Sequence, residues 1–281
     1  MRRTLNIKLS VPLAFVIAAA WTLVVSGVET LTTVDVPGAT FVSTSGINPR
    51  GDIVGRYIAA GVTRGFLFSR GTFTTIDVPG STFTALRDIN PEGDIVGNYV
   101  GNGLTHGFLR SRGVFSTIDV PGASATSAFT INAQGDIVGN YVSSGVGHGY
   151  LLSAGIFTPF DPPGSTRTLP FKMSALGDIV GEYDSAGVTH AFLLSGGAFT
   201  TIDVPGASST GARGINPQGD IVGEYISGGV THGFLLSGGA FTTIDVPGAT
   251  LSNALAINPR GDIVGRYIVA GVSHGFLLSE P

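Results

Sequence analysis

Between residues 82 and 120 the apolar positions fall into four short runs separated by glycine. Residues 82–90 (TFTALRDIN) predict a first strand. Pro91-Glu92-Gly93 predicts a turn, because proline presets its own φ and glycine accepts a positive one. Residues 94–100 (DIVGNYV), rich in β-branched and aromatic side chains, predict a second strand; residues 105–111 (THGFLRS) return as a third and residues 114–120 (VFSTIDV) as a fourth. Tight hairpins at residues 101–104 and 112–113 join them into a small antiparallel meander. No segment keeps an apolar period of 3.6 long enough for a helix. Alternation is weak in runs such as Asp-Ile-Val-Gly and Gly-Phe-Leu-Leu, so each sheet is expected to be covered on both faces. Glycines inside strands, Gly97, Gly107 and their counterparts, mark close backbone approach or a bulge.

The pattern recurs six times at a fixed spacing of 42 residues. Asp-Val-Pro-Gly begins at Asp35, Asp77, Asp119, Asp203 and Asp245, and Asp-Pro-Pro-Gly at Asp161. Gly-Asp-Ile-Val-Gly begins at Gly51, Gly93, Gly135, Gly177, Gly219 and Gly261. Such a period with four short strands per copy points to propeller blades, whose two faces pack against their neighbours. The expected fold is all-β: a six-bladed β-propeller over residues 28–281, with four antiparallel strands per blade. The last copy stops before its fourth strand, and the matching strand stands at the front as residues 31–36 (LTTVDV). That N-terminal strand is expected to complete the last blade and to hide two sheet edges. An open β-solenoid would instead need capping ends that the sequence does not show.

Composition adds location and removes some classes. Arg2, Arg3 and Lys8 precede an apolar run over residues 11–25, and Val25-Ser26-Gly27 offers small residues for cleavage. Residues 1–27 are therefore expected to be a secretory signal peptide or an N-terminal anchor, with the rest secreted, periplasmic or at the cell surface. A membrane is expected to be met only through that segment, if it stays uncleaved. Setting those three cations aside changes the net charge from −4 to −7, and no basic stripe argues for nucleic acid. Cysteine is absent, so no thiolate metal site and no disulfide can form. A monomer is expected, with no cofactor and no metal.

Residues repeated in every copy are poor candidates for one site. Asp52, Asp94, Asp136, Asp178, Asp220 and Asp262 follow turn glycines and are expected to accept backbone N–H bonds there. The aspartates that precede Pro-Gly are expected to brace the crossing between blades. All five histidines, His106, His148, His190, His232 and His274, share one column, with Arg64 in copy one. Blades pack about 10 Å apart while zinc–nitrogen bonds are about 2 Å, so structural hydrogen bonds are expected in place of a metal. The tyrosine column, Tyr57, Tyr99, Tyr141, Tyr183, Tyr225 and Tyr267, reads as blade packing with a hydroxyl handle. Arg50-Gly51-Asp52 and Arg260-Gly261-Asp262 spell an adhesion tripeptide, but the arginine position varies freely among the copies.

The words Ile-Val-Gly-x-Tyr and His-Gly-Phe-Leu, with the literal His190-Ala191-Phe192, resemble the HAF family of extracellular repeat proteins over residues 31–281. The resemblance implies export and a repeat β fold, and carries over no catalytic residues. Copy one departs from it at Arg64, and copy four at Met173-Ser174 where other copies have Ile-Asn.

Individuality must then lie in the columns that vary. Between Gly and Tyr of the second strand stand Arg56, Asn98, Asn140, Glu182, Glu224 and Arg266. Ring closure would set Arg266 beside Arg56 and opposite Glu182 and Glu224, giving a charge dipole. The first strand, expected to be innermost, carries Arg87 and Asp88, Phe129, then Arg167, Phe171 and Lys172, and finally Arg213. Copy four, with the one lysine beyond the signal, is the expected place for a ligand contact. The candidate ligand residues are therefore Arg56, Arg87, Asp88, Arg167, Phe171, Lys172, Glu182, Arg213, Glu224 and Arg266. The function expected is a binding or scaffolding module for an extracellular protein or polysaccharide. A multivalent lectin with sites between blades is the alternative, and a hydrolase or lyase using the channel face ranks third, since fold alone cannot support it.

Overall fold

A computed structural model describes residues 23–24 and 30–279 of the chain. The expected signal segment lies outside the described residues apart from Leu23–Val24, a two-residue strand antiparallel to the start of Thr30–Val34. Every element among the described residues is a strand or a turn.

Copy two folds as the meander Phe83–Ile89, Ile95–Gly101, Leu104–Ser111 and Val114–Ile118. Its hairpins turn on pairs such as Asn102-Gly103 and Arg112-Gly113, both members at positive φ. Two consecutive positive φ values give the primed turn that matches the right-handed twist of the flanking strands. Copies one, three, four and five repeat the layout. Among the described residues copy six supplies three strands, Leu251–Ile257, Ile263–Val269 and Val272–Ser279. Its fourth is Thr30–Val34, which runs antiparallel to Val272–Ser279 with Thr30 opposite Ser279 and Val34 opposite Gly275.

Both faces of each sheet are covered, as the weak alternation predicts. In copy one Ile53 packs towards Ala256 and Val264 of copy six, while the next residue, Val54, packs towards Leu86 and Phe108 of copy two. Equivalent clusters join each copy to the next. The last copy also meets the first through hydrogen bonds: Thr44 Oγ1 donates to Gly265 O at 2.7 Å and Ser273 Oγ to Val42 O at 2.9 Å. The two ends of the described chain therefore lie together. The separated ends of an open solenoid are not observed.

The in-strand glycines have a steric reason. A Cβ on Gly97 would lie 2.1 Å from the Ala85 carbonyl oxygen and 2.8 Å from the Phe108 ring. Neither neighbour can retreat, since one is backbone and the other fills the core. Gly97→Ala is expected to cost about 3 kcal/mol, the upper end for overpacking. By contrast, a Cβ on Gly147 would meet only the Arg167 side chain at 3.4 Å and the Asn140 amide at 3.8 Å. Gly147→Ala should instead gain about 0.5–1 kcal/mol by removing a strand glycine. Urea midpoints of the two variants check this pair; equal shifts would defeat it.

Candidate functional site

The site is built from a fault repeated in every first strand. In copy two Leu86 pairs with Gly97 and Asp88 pairs with Val96, so the ladder skips Arg87. The same register shift skips Ser45, Phe129, Phe171, Arg213 and Leu255. A β-bulge bends the strand and re-aims the side chain it displaces. All six bulged residues line one cavity of about 210 Å³. Gly97 and its counterparts stand opposite the bulge, where the bent strand presses a carbonyl against them.

A second tier comes from the next strand. Arg56, Glu224 and Arg266 line the cavity, and Ser43 and Asn253, cross-strand partners of Arg56 and Arg266, complete it. Arg266 does lie beside Arg56: the two guanidinium groups stand over the same Phe41 ring, at 5.9 and 5.5 Å from its centroid. Arg87 stands 5.3 Å over Phe129, and Arg213 stands 3.9 Å over Phe171. Each cavity arginine thus rests on a phenylalanine, an attraction worth about 0.5–2 kcal/mol according to how dry the site is.

The charges are unevenly answered. Arg213 bonds Glu224 and lies 2.9 Å from Glu182. Burial opposes its charge, but Glu224 and Glu182 outweigh burial and hold its pKa above the ordinary value. Among the described residues Arg87 has only Asn98 as a hydrogen-bond partner, whose Oδ1 accepts from Nε at 2.9 Å. Burial, with Arg56 and Arg213 nearby, lowers its pKa to about 9. Burial likewise lowers Arg56, with Arg266 adding repulsion. Arg266 is lowered chiefly by burial, with Glu224 opposing that shift and Arg213 adding to it.

Six of the ten candidates named from sequence line the cavity: Arg56, Arg87, Phe171, Arg213, Glu224 and Arg266. The other four stand around or beneath it. Glu182 buttresses Arg213 from behind. Arg167 turns to Asp184 at 2.6 Å and to Glu182 at 3.3 Å. Lys172 reaches across from copy four to Asp88 of copy two, and its ammonium bonds Asp88 Oδ1. Asp88 Oδ2 accepts from Thr130 Oγ1 of copy three at 2.7 Å and from the Ile131 amide at 3.2 Å. Asp88 is 1% exposed and Lys172 13%, so this pair faces its own network and not the lining. Gly46 leaves room for it, since a Cβ there would meet Asp88 Oδ1 at 2.8 Å. Copy four therefore supplies Phe171 to the lining, while its lysine secures the layer next to it. Ser43, Ser45, Asn253 and Leu255 were not singled out from sequence; their signal was position, each occupying or neighbouring the column that also holds Arg87 and Arg213.

The repeated columns serve the frame. His106 Nδ1 lies 2.9 Å from Asp119, and His148, His190 and His232 pair likewise with Asp161, Asp203 and Asp245 at 2.7–2.8 Å. Arg64 takes the same role with Asp77 at 2.6 Å. His274 pairs with Asp35 of the N-terminal strand at 2.7 Å, so the column continues across the junction of the two ends. Tyr57, Tyr99, Tyr183, Tyr225 and Tyr267 each share a hydrogen bond with a threonine of the fourth strand.

One expectation needs correction. The side chains of the aspartates after the turn glycines do not accept backbone N–H bonds. Asn48 does, its Oδ1 taking the amides of Arg50 and Asp52 at 3.0 Å, while its Nδ2 donates to Asp52 at 2.9 Å. The carboxylate of Asp52 instead gathers side chains. Burial works against its charge, but Ser69, Asn48 and Arg50 outweigh that and hold its pKa below the ordinary range. Asn90, Asn132, Asn216 and Asn258 act as Asn48 does, and Ser174 stands in for them in copy four. An asparagine spans a turn this way because its amide carries both acceptor and donor. In both adhesion-like tripeptides the arginine is bonded to its own aspartate, at 3.2 Å in copy one and 2.6 Å in copy six.

No family model matches the chain, and no curated protein matches it. Among solved structures it is similar to a catalytically inactive virginiamycin B lyase from Staphylococcus aureus with quinupristin, at 11% identity and TM-score 0.53, over 89% of this chain and 99% of that one. It is similar to a putative gluconolactonase at 14% identity and TM-score 0.55, over 91% and 93%. TolB from Acinetobacter baumannii matches at 15% identity and TM-score 0.55, over 84% of this chain and 54% of that chain. At such identities the likeness carries the fold alone, and that fold is all-β and propeller-like.

Proposed function

We propose that this chain is an exported six-bladed propeller of the HAF repeat type, acting as a binding or scaffolding module for an extracellular protein or polysaccharide. Its ligand enters the cavity where the six first strands converge. One observation carries this reading: every copy places its bulged residue in that cavity, and among the six only phenylalanine and arginine occur twice. The frame repeats, whereas the lining does not. A repeated frame supplies rigidity, and differing side chains at equivalent positions supply one asymmetric site. Rigid scaffolds that hold a few well-placed polar groups in a concave pocket are how proteins recognise small groups.

The lectin alternative has its own observation, a groove of about 340 Å³ between copies five and six that includes Asn216, Asp220 and Arg260. A glycan array with the purified protein separates the two. Binding at the central cavity should be lost in Phe129→Asp and kept in Arg260→Ala. Multivalent binding between modules should survive Phe129→Asp and be weakened, without being lost, in Arg260→Ala. Retention in both variants would remove the central cavity from the function.

A further inference from the structure

Resting on that reading of the cavity, we propose that its ligand presents an anionic oxygen group, a carboxylate or a phosphate-type oxyanion, to Arg56, Arg87 and Arg266. The lining contains four guanidinium groups and a single carboxylate, Glu224. Glu224 is taken up by Arg213, which also holds Glu182. The other three arginines hold no carboxylate among the described residues. Their partners are neutral: the side-chain oxygen of Asn98 at 2.9 Å for Arg87, that of Asn253 at 3.3 Å for Arg266, and the Phe41 ring for Arg56.

Three other partly buried arginines are paired with carboxylates, whereas Arg110 rests on the Phe115 ring. Arg64 holds Asp77, Arg167 holds Asp184, and Arg213 holds two glutamates. Arg56, Arg87 and Arg266 thus gather in one cavity whose single lining carboxylate, Glu224, is bonded to Arg213, in a chain whose net charge is −4. Ring faces and amide oxygens orient a guanidinium but do not neutralise it. The unliganded molecule therefore carries a repulsion that an incoming anion relieves. Burial strengthens both the repulsion and its relief, because charges interact more strongly in a lower dielectric. Guanidinium is well shaped for such a guest, since its planar fork matches a carboxylate or a phosphate with two parallel hydrogen bonds.

The cavity's size limits the guest. About 210 Å³ holds roughly seven waters at the liquid share of each. That is room for one acidic ring or a small acid, so a polymer would enter by an end group. Phe129 and Phe171, packed edge to face at 5.4 Å, offer an apolar wall beside the arginines.

Titration of the purified protein with glucuronate, inorganic phosphate and glucose at constant ionic strength, by calorimetry and by thermal midpoint, tests the proposal. Saturable binding and a raised midpoint are expected with one or both anions and not with glucose. Glucuronate against phosphate then tells a carboxylate from an oxyanion ester. Arg87→Gln should weaken anion binding at least tenfold, and it should raise the midpoint of the unliganded protein by removing one of the crowded charges. Absence of any saturable anion effect overturns the proposal. So does an Arg87→Gln protein that binds the anion as before, or one whose unliganded midpoint falls, which would make Arg87 structural. A neutral glycan that binds and is lost in Phe129→Asp would leave the cavity as the ligand site while removing the anion from it.

Discussion

Lys172→Met is expected to destabilise the protein by about 3–5 kcal/mol, the usual cost of leaving one member of a buried ion pair alone. That would be a large share of the roughly 5–15 kcal/mol that holds a domain together. Asp88 would keep Thr130 and the Ile131 amide as donors but would lose its one cation among the described residues, at 1% exposure. Methionine conserves the length of the lysine stem, so packing changes little and the loss reports charge. Pairing Lys172→Met with Asp88→Asn removes both charges and keeps the shape, and should recover most of the loss. The measurement is the urea midpoint at neutral pH of the two single variants and the double. If Lys172→Met stays within about 1 kcal/mol of the parent (close to the scale of ordinary surface substitutions), the pair does not hold copies two, three and four together. Loss of the pair should also loosen the strand segment beside Arg87, so anion affinity should fall along with stability.

Deleting Thr30–Val34 should be as damaging by a different route. Val34 is 2% exposed within the cluster that joins copies six and one, and Leu31 packs on the neighbouring one. Burying one valine side chain is worth about 1.5–3 kcal/mol. Leu31 and the strand ladder to Val272–Ser279 add to it, and Asp35, which pairs with His274, loses the strand that positions it. The sum approaches the whole stability of a marginal domain. The strand left behind would also present a bare edge, which invites pairing with another chain. Light scattering should show association, and thermal melting a lowered midpoint. A synthetic peptide of residues 30–36 added in trans should reverse the association. A truncated protein whose scattering and midpoint match the parent's would show that the first strand is dispensable.

The frame was legible because it is written in local rules used six times over. Asp-Val-Pro-Gly, the x-Gly hairpins and the in-strand glycines each act within a few residues, and repetition tells rule from accident. Strand limits in copy two differ by only one or two residues from those expected, Phe83–Ile89 against 82–90 and Val114–Ile118 against 114–120. The histidine column was readable as structural from its recurrence, and its aspartates lie 13 residues on within copies two to five. The turn asparagine was overlooked because the aspartate four residues later has the same reputation in turns. An amide that both donates and accepts closes the turn better than a carboxylate that only accepts.

The candidate site was legible by column and not by role. The sequence by itself determined the all-β meander, its six copies, both-face packing and the positions free to vary, since these follow from periodicity and backbone sterics. Tertiary structure decided what the varying residues do. A bulge depends on a one-residue slip between two strands, so nothing local to Arg87 announces that it faces the cavity while Asp88 turns away. Lys172 and Asp88 stand 84 residues apart, and only the arrangement of whole sheets brings their charges together. Long stretches of chain likewise separate Arg56 and Arg87 from the glutamates that neutralise Arg213 and leave its neighbours unanswered. Electrostatics acts through space, and space here is set by sheets closing on one another.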